Sequence, residues 1–243
     1  MARIISRSPF VCSLAAAVLL AAACARAPQT TAPTTPVPTN SPAAAEVRIV
    51  VLGDSLAAGL GLAEAEAFPA VVEGLLRGKG HDIEVINAGV SGDTSAGGLS
   101  RVDWVLQQPA DILVVELGGN DALRGQDLEN TEANLREIVR RGQAAGARVV
   151  LLGMDVPTNY GPDYSRAFSE MYVRIAAEEG ADLVAGFIRE VGLDSSLLQA
   201  DGLHPTAEGQ KLLAEKLVPA LEAALRDKDL PVVPATRDED QGD

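Results

Sequence analysis

Short apolar, β-branched segments recur along the chain and predict the strands of its fold. Five of them stand out, at residues 47–52, 83–87, 112–117, 149–152 and 183–185. The clearest have polar neighbours only at their ends, which is typical of strands covered on both faces. We therefore predict a five-stranded sheet that is buried between other elements.

Helical periodicity occupies the sequence between these strands. The helical segments span roughly 66–79, 97–107, 127–145, 162–179 and 206–226. Thr206 is placed to cap the start of the last one. Alternating strands and helices predict an α/β protein with a parallel sheet and helices on both faces. In such sheets the active residues lie on the loops after the strands.

The N-terminus has the pattern of an export signal over residues 1–24. Two arginines precede an apolar stretch, residues 11–23, that is shorter than the roughly 20 residues of a membrane span. It ends in three alanines before Cys24 and resembles a bacterial lipoprotein lipobox, with Ala21 in place of the usual Leu. We expect a lipid anchor on Cys24. The alternative is a plain secretory signal, and both predict an exported, periplasmic protein.

Two further segments lack the composition of a folded domain. Residues 25–45 are rich in Pro, Thr and Ala and cannot bury enough apolar surface to fold, so they predict a disordered linker. We predict that residues 231–243 form an acidic, disordered tail. The folded domain is therefore expected over residues 46–230.

Composition and charge narrow the classes of function. The formal net charge is −14, and an acidic surface repels phosphate backbones, so we expect no nucleic-acid partner. No cysteine follows Cys24, which excludes a disulfide, a thiolate metal site and a cysteine nucleophile in the folded part. Of the two histidines, His81 precedes the second strand, at the edge opposite the expected site, and we interpret it as a surface residue.

Three of the predicted loops carry groups that are able to do chemistry. Ser55 follows the first strand, where its hydroxyl can reach the edge of the sheet, although a serine there is also a common helix cap. Gly92 lies in a glycine-rich loop after the second strand, which brings a backbone N–H close to a ligand or forms an ordinary turn. Asn120 follows the third strand. Its amide can stabilise an oxyanion by about 3–4 kcal/mol, although it also suits a turn.

A fourth loop carries both a base and a carboxylate. Asp201 and His204 are three residues apart in Asp201-Gly202-Leu203-His204-Pro205. Histidine is the usual general base near neutral pH, and a carboxylate beside it sets its tautomer. The alternative is an exposed loop with an incidental histidine. Each of these four features is ambiguous by itself, but together they lie where an α/β enzyme carries its active residues.

These residues resemble the blocks of the SGNH/GDSL hydrolase superfamily. The matching blocks are Gly53-Asp54-Ser55-Leu56, Gly92 in residues 91–95, Gly118-Gly119-Asn120-Asp121, and Asp201 with His204. The resemblance covers most of residues 46–226. Within the superfamily, the chain most resembles bacterial periplasmic esterases of the arylesterase, acyl-CoA thioesterase and lysophospholipase type.

The resemblance implies a three-layer α/β/α, flavodoxin-like fold. It implies Ser55, Asp201 and His204 as a catalytic triad, and an oxyanion hole formed by the backbone N–H groups of Ser55 and Gly92 and the side chain of Asn120. Further residues implied to border the acyl-binding groove are Asp121, Ala122, Leu123, Pro157 and Tyr160. Asp54 is implied to be a structural neighbour and not a catalyst.

The function predicted from these residues is hydrolysis of carboxylic esters or thioesters through an acyl-enzyme, without metal or cofactor. Aryl esters, short-to-medium acyl esters and lysophospholipids are the expected small-molecule substrates, and we expect a monomer. One alternative is a carbohydrate or peptidoglycan O-acetylesterase, although the apolar pair Ala122-Leu123 weighs against sugar binding. The other is a catalytically idle envelope-binding lipoprotein, against which the complete set of catalytic residues argues.

Overall fold

The centre of the molecule is a five-stranded parallel sheet in a computed structural model that describes residues 47–156 and 158–227. Its strands are β1 (Val47–Gly53), β2 (Ile83–Gly89), β3 (Ile112–Glu116), β4 (Arg148–Leu152) and β5 (Asp182–Val184). They lie in the order β2-β1-β3-β4-β5, which is the flavodoxin-like order. The winding direction reverses after β2, and such a reversal opens a ligand crevice beyond the carboxyl ends of β1 and β3.

The register of the strands brings the active loops to one edge. Gly53 at the end of β1 pairs with Gly89 of β2 on one side and with Glu116 of β3 on the other. All five residues of β3 are buried, as a central strand with helices on both faces requires. The chain segments that follow these three strands therefore start side by side.

Helices cover both faces of the sheet. The described part of the chain forms α1 (Ser55–Ala58), α2 (Phe68–Gly78), α3 (Ser95–Val105), α4 (Gly119–Leu123), α5 (Leu128–Ala144), α6 (Pro162–Glu179), α7 (Arg189–Gly192) and α8 (Ala207–Asp227). Helix α2 packs against α8, while α3 packs against α5 and α5 against α6. Since parallel crossovers are right-handed, the reversal after β2 places α2 on one face and α3, α5 and α6 on the other. The predicted three-layer α/β/α fold is confirmed.

Side-chain caps define where several helices begin. Thr94 accepts a hydrogen bond from the backbone N–H of Gly97 at the start of α3. Asp127 caps α5 in the same way. The Thr206 hydroxyl accepts from the N–H of Gly209 at 3.3 Å, as predicted for the last helix. Such caps satisfy N–H groups that have no partner within the helix.

All five predicted strands and all five predicted helices are present, with ends that differ by a few residues. The sequence did not predict α1, α4 and α7, which have four or five residues each. A helix of that length shows too little of the 3.6-residue period to be recognised. Two of these short helices carry residues of the candidate site.

Several predicted features lie outside the described residues. They are the signal over 1–24 with Cys24, the linker over 25–45, the tail over 231–243, and Pro157. Among the helices that are described, none is long and apolar enough to cross a membrane.

Candidate active site

Ser55 lies at the first turn after β1, in a segment held by two carboxyl groups. The Asp54 side chain accepts a hydrogen bond from the backbone N–H of Leu56 at 3.0 Å. Glu116, at the end of β3, accepts from the N–H groups of Asp54 at 3.1 Å and Ala57 at 3.2 Å. Asp54 and not Ser55 is therefore the cap of α1, so the serine hydroxyl is available for another role.

His204 joins the serine to a carboxylate. Its Nε2 lies 2.9 Å from Ser55 Oγ, and its Nδ1 lies 2.6 Å from an oxygen of Asp201. An ionised carboxylate only accepts hydrogen bonds, so it selects the tautomer with the proton on Nδ1. That tautomer leaves Nε2 free to accept the Ser55 hydroxyl proton.

Asp201 remains ionised because its own loop donates to it. The backbone N–H of His204 donates to Asp201 at 3.0 Å, and that of Leu203 donates at 2.9 Å. The His204 backbone N–H, the His204 ring and the Leu203 N–H together hold the pKa of Asp201 far below its ordinary value. The short Asp-x-x-His spacing thus lets one loop provide, orient and ionise the carboxylate.

The loop that carries His204 is fastened by amide side chains that the sequence did not indicate. Gln199 donates through its side chain to the carbonyls of Leu60 and Pro205, and its backbone N–H donates to the carbonyl of His204 at 2.7 Å. Gln210, on α8, is buried and donates to the carbonyl of Leu56 at 2.9 Å. These bonds tie the histidine loop and the helix after it to the segment that carries the serine.

Gly92 lies in a tight turn beside the serine. The N–H of Asp93 donates to the carbonyl of Val90, and Gly92, the third residue of this turn, has a φ of 82°. That positive φ is typical of a type II turn and favours glycine. The Arg124 side chain donates to the Gly92 carbonyl at 2.7 Å. Within the described residues, the backbone N–H groups of Gly92 and Ser55 have no hydrogen-bond acceptor.

Asn120 is presented by the short helix α4. Its side-chain amide donates to Asp54 at 2.9 Å and has a second N–H to offer. Gly118 caps this helix with a φ of 111°, and a Cβ there would lie 2.2 Å from the hydroxyl oxygen of Tyr172. The Tyr172 hydroxyl donates to the carbonyl of Leu117 at 2.8 Å, which holds the segment that leads into α4.

The candidate residues surround a cavity of about 290 Å³. Ser55, Gly92, Asn120 and His204 line its polar end. The rest of the wall is mainly apolar and is formed by Leu56, Leu60, Leu123, Met154, Val156, Tyr160, Ile188 and Leu203, with Asp54, Gly119 and Asp155 also in contact. The volume lies near the lower end of the roughly 300–1,000 Å³ that is common for ligand sites. Such a cavity suits an apolar chain or ring attached to a polar reacting group.

Two residues predicted to border the groove do not line this cavity. Asp121 is buried and accepts hydrogen bonds from the backbone and the hydroxyl of Ser95, and from Thr131. Ala122 is packed in the core at 1% exposure. Both side chains point away from the cavity, because α4 is helical and successive residues point about 100° apart. Of the three consecutive residues 121–123, Leu123, at 50% exposure, is the one that lines the cavity.

Burial raises the pKa of both carboxyl groups under the serine. The pKa of Asp54 rises from 3.8 to about 6, because burial outweighs the hydrogen bonds from Leu56 and Asn120. The pKa of Glu116 rises well above its ordinary value, first through burial and then through the charge of Asp54. Sequence analysis gave Asp54 a structural role and Glu116 none. The signal for Glu116 was a single acidic residue within an otherwise apolar strand.

His81, the other histidine, is half-buried beside Glu222, away from these residues, which agrees with its interpretation as a surface residue. No cluster of three or more His, Cys, Asp or Glu suited to a metal ion occurs among the described residues. A parallel α/β sheet with a Ser–His–carboxylate chain and an amide donor at its carboxyl edge is the architecture of a serine hydrolase.

Comparison with known proteins identifies the family within that class. Residues 51–212 match the GDSL-like lipase/acylhydrolase family. The chain is 43% identical over 184 residues to the esterase TesA of Pseudomonas aeruginosa, covering 75% of this chain and 91% of TesA. It is 40% identical over 182 residues to thioesterase 1/protease 1/lysophospholipase L1 of Escherichia coli, covering 74% of this chain and 86% of that protein.

A crystal structure of TesA has a similar fold. It superposes with a TM-score of 0.71 at 42% sequence identity, covering 73% of this chain and 99% of that one. The chain therefore belongs to the GDSL-like lipase/acylhydrolase family and is a hydrolase of ester bonds. The resemblance predicted from the four sequence blocks is confirmed.

Proposed function

We propose that this chain is a serine esterase in which Ser55, His204 and Asp201 form the catalytic triad. His204 Nε2 takes the hydroxyl proton while Ser55 Oγ attacks the ester carbonyl carbon. The resulting imidazolium is stabilised by Asp201. His204 then gives the proton to the leaving alcohol or thiol, and an acyl-enzyme remains. Water repeats the same steps and releases the acid. The observation that carries this proposal is the pair of hydrogen bonds, 2.9 Å and 2.6 Å, that links the three side chains.

The negative charge that develops on the carbonyl oxygen needs donors that are free before substrate binds. We assign this role to the backbone N–H groups of Ser55 and Gly92 and to the second N–H of the Asn120 amide. The lack of a described acceptor for the two backbone groups supports the assignment. Donors that need no rearrangement stabilise the transition state most effectively.

The apolar wall of the cavity supports esters with an acyl chain or an aryl group as substrates. Short-to-medium acyl esters, aryl esters, thioesters and lysophospholipids are the classes that we propose, with Leu123 and Tyr160 among the residues in contact with the chain. The relatives named as an esterase and as a thioesterase and lysophospholipase support the same range. No metal or cofactor takes part in the proposed reaction.

The N-terminal sequence supports export to the periplasm and a lipid anchor on Cys24. We propose a monomeric enzyme that is tethered to the membrane by that lipid and acts on small-molecule esters. Mass spectrometry of the processed N-terminus tests this: a diacylglyceryl group on Cys24 supports the anchor, and an unmodified, cleaved terminus shows a plain secretory signal.

The experiment that tests the catalytic proposal is hydrolysis of p-nitrophenyl esters from acetate to palmitate. We expect turnover that peaks at short to medium chains and falls by about five orders of magnitude in Ser55→Ala. Ser100→Ala is a matched control, because Ser100 is an exposed residue on α3 away from the cavity. Full activity in purified Ser55→Ala contradicts the triad. Turnover of acetate alone favours a deacetylase, and no turnover of any ester by the native chain favours the non-enzymatic alternative.

A further inference from the structure

Glu116 is a fully buried acid that the proposed reaction does not use. It stands at the end of the central strand β3, at 0% exposure, directly below the segment that carries Ser55. Its Oε2 accepts from the backbone N–H groups of Asp54 and Ala57. Its Oε1 has no hydrogen-bond donor among the described residues. If Glu116 were ionised here, its hydrogen bonds would compensate only part of the lost hydration of the charge, and the folded protein would be destabilised.

A second carboxyl group lies beside it. The Asp54 side chain is also buried, at 3% exposure, and the backbone N–H of the same residue donates to Glu116 at 3.1 Å. Two neighbouring carboxylates repel each other in a buried place, so protonation of one of the two acids is favoured. The described residues show no lysine or arginine paired with either group.

The surroundings decide which acid holds the proton. Asp54 accepts from the N–H of Leu56 at 3.0 Å and from the Asn120 amide at 2.9 Å. Each of these interactions favours the ionised form of Asp54. Glu116 also accepts two N–H groups, but both reach Oε2, its Oε1 has no donor among the described residues, and it is the more deeply buried of the two at 0% against 3% exposure. Glu116 is therefore the better site for the proton.

We propose that Glu116 is a positioning residue that acts as a neutral acid. Its proton is donated to Asp54, which stays an acceptor for the Asn120 amide and so directs that amide at the oxyanion. Its Oε2 holds the N–H groups on both sides of Ser55, which leaves the Ser55 N–H free. This inference rests on the proposed serine esterase and names the residue that sets its oxyanion donors.

Loss of the Glu116 proton would place two anions side by side under the serine. Repulsion would then disturb both the Asn120 amide and the Ser55 turn. The titratable groups that interact electrostatically with this pair are His204 before α8 and Tyr172 on α6, and Asp121 on α4 interacts with Tyr172 in turn. We therefore expect kcat to fall at alkaline pH, and part of that decrease to follow the deprotonation of Glu116.

Two substitutions separate a neutral acid from a carboxylate. In Glu116→Gln the amide can donate to Asp54 and accept from the backbone N–H groups, but it does not titrate. Glu116→Leu removes both functions. We expect Glu116→Leu to lower kcat about a hundredfold with little change in KM, as loss of an oxyanion donor does. Glu116→Gln is expected to rescue most of that loss and to remove the alkaline component of kcat.

Infrared spectroscopy of the full-length chain reports the proton without relying on activity. The carbonyl band of a buried carboxylic acid is expected in the native protein at neutral pH and absent in Glu116→Gln. Glu208→Gln, an exposed residue on α8, is the control and leaves the band in place. If the native chain hydrolyses no ester but shows the band, the proposed function fails and the neutral acid stands.

Three results would overturn the inference. One is a native spectrum without the band. Another is a Glu116→Gln variant that folds, by circular dichroism, yet loses as much kcat as Glu116→Leu, because that result requires a carboxylate. The third is a Glu116→Leu variant with native kcat. If Glu116→Leu does not fold, the infrared band and the pH profile of Glu116→Gln decide the question.

Discussion

The two halves of the active site are built in opposite ways. The nucleophile half, Asp54 and Ser55 above Glu116, is buried at the end of the two central strands and is held by carboxyl groups in the core. The base half, Asp201 and His204, lies on a surface loop, and the Asp201 side chain is 48% exposed. Side-chain and backbone bonds from Gln199 hold that loop instead of core packing.

The pKa of an aspartate carboxyl group is shifted in opposite directions in the two halves. Burial raises the pKa of Asp54 to about 6, while N–H donors in an exposed loop lower the pKa of Asp201. Environment, not residue type, therefore assigns the roles of these two aspartates. One acts below the serine as part of a buried pair, and the other orients the base.

Among the predicted changes, removal of the base His204 from the exposed half should reduce activity the most. We expect His204→Ala to lower kcat/KM by about five orders of magnitude, since the serine loses its proton acceptor. The change in stability should be small because the side chain is part of a surface loop. Ester hydrolysis and thermal melts measure both quantities.

The control for this variant is the other histidine. His81→Ala should leave kcat/KM unchanged, because His81 lies beside Glu222, away from the cavity. A loss of activity in His81→Ala equal to that in His204→Ala would mean that the assignment of the base is wrong.

Removing the side-chain oxyanion donor should weaken the buried half by an intermediate amount. We expect Asn120→Ala to lower kcat by about 10²–10³ with a nearly unchanged KM, because the donor acts mainly in the transition state. Asn130→Ala, at an exposed position on α5, serves as the control. A large rise in KM with native kcat would show that Asn120 binds the ground state instead.

The smallest effect is on the pH dependence of stability, and its sign distinguishes the two halves. An acid with a raised pKa in the folded protein stabilises it below the unfolded pKa, near 3.9, and this contribution is lost as the pH rises through about 6. We expect Asp54→Asn to remove a decline of about 3 kcal/mol in the free energy of unfolding between about pH 4 and pH 6. Urea unfolding at several pH values measures it.

Asp201 should show the reverse behaviour. Its lowered pKa stabilises the folded protein above the unfolded value, and that contribution is lost as the pH falls below about 4. Asp201→Asn should therefore flatten the acid side of the same curve. Identical pH dependence in Asp54→Asn and Asp201→Asn would refute the contrast between the two halves.

Much of this architecture was predictable from the pattern of residues. In β3 and α8 many consecutive positions follow the same pattern of buried and exposed residues. Hydrophobic periodicity therefore reveals both elements. Ser55, Asn120 and His204 could be placed near one another because parallel strands bring the following loops to one edge. Asp121 and Ala122 could not be placed, because α4 is too short to show its period and its rotation decides which residue faces the cavity.

The sequence by itself determined the order of strands and helices, the candidate triad and the family resemblance, since these follow from local spacing and residue type. Tertiary structure alone decided that Glu116 lies under the serine and that Gln199 and Gln210 fasten the base loop to it. It also decided that burial raises the pKa of Asp54. The physical reason is that these properties depend on burial and on partners 59 to 154 residues away in the chain, which no local pattern records.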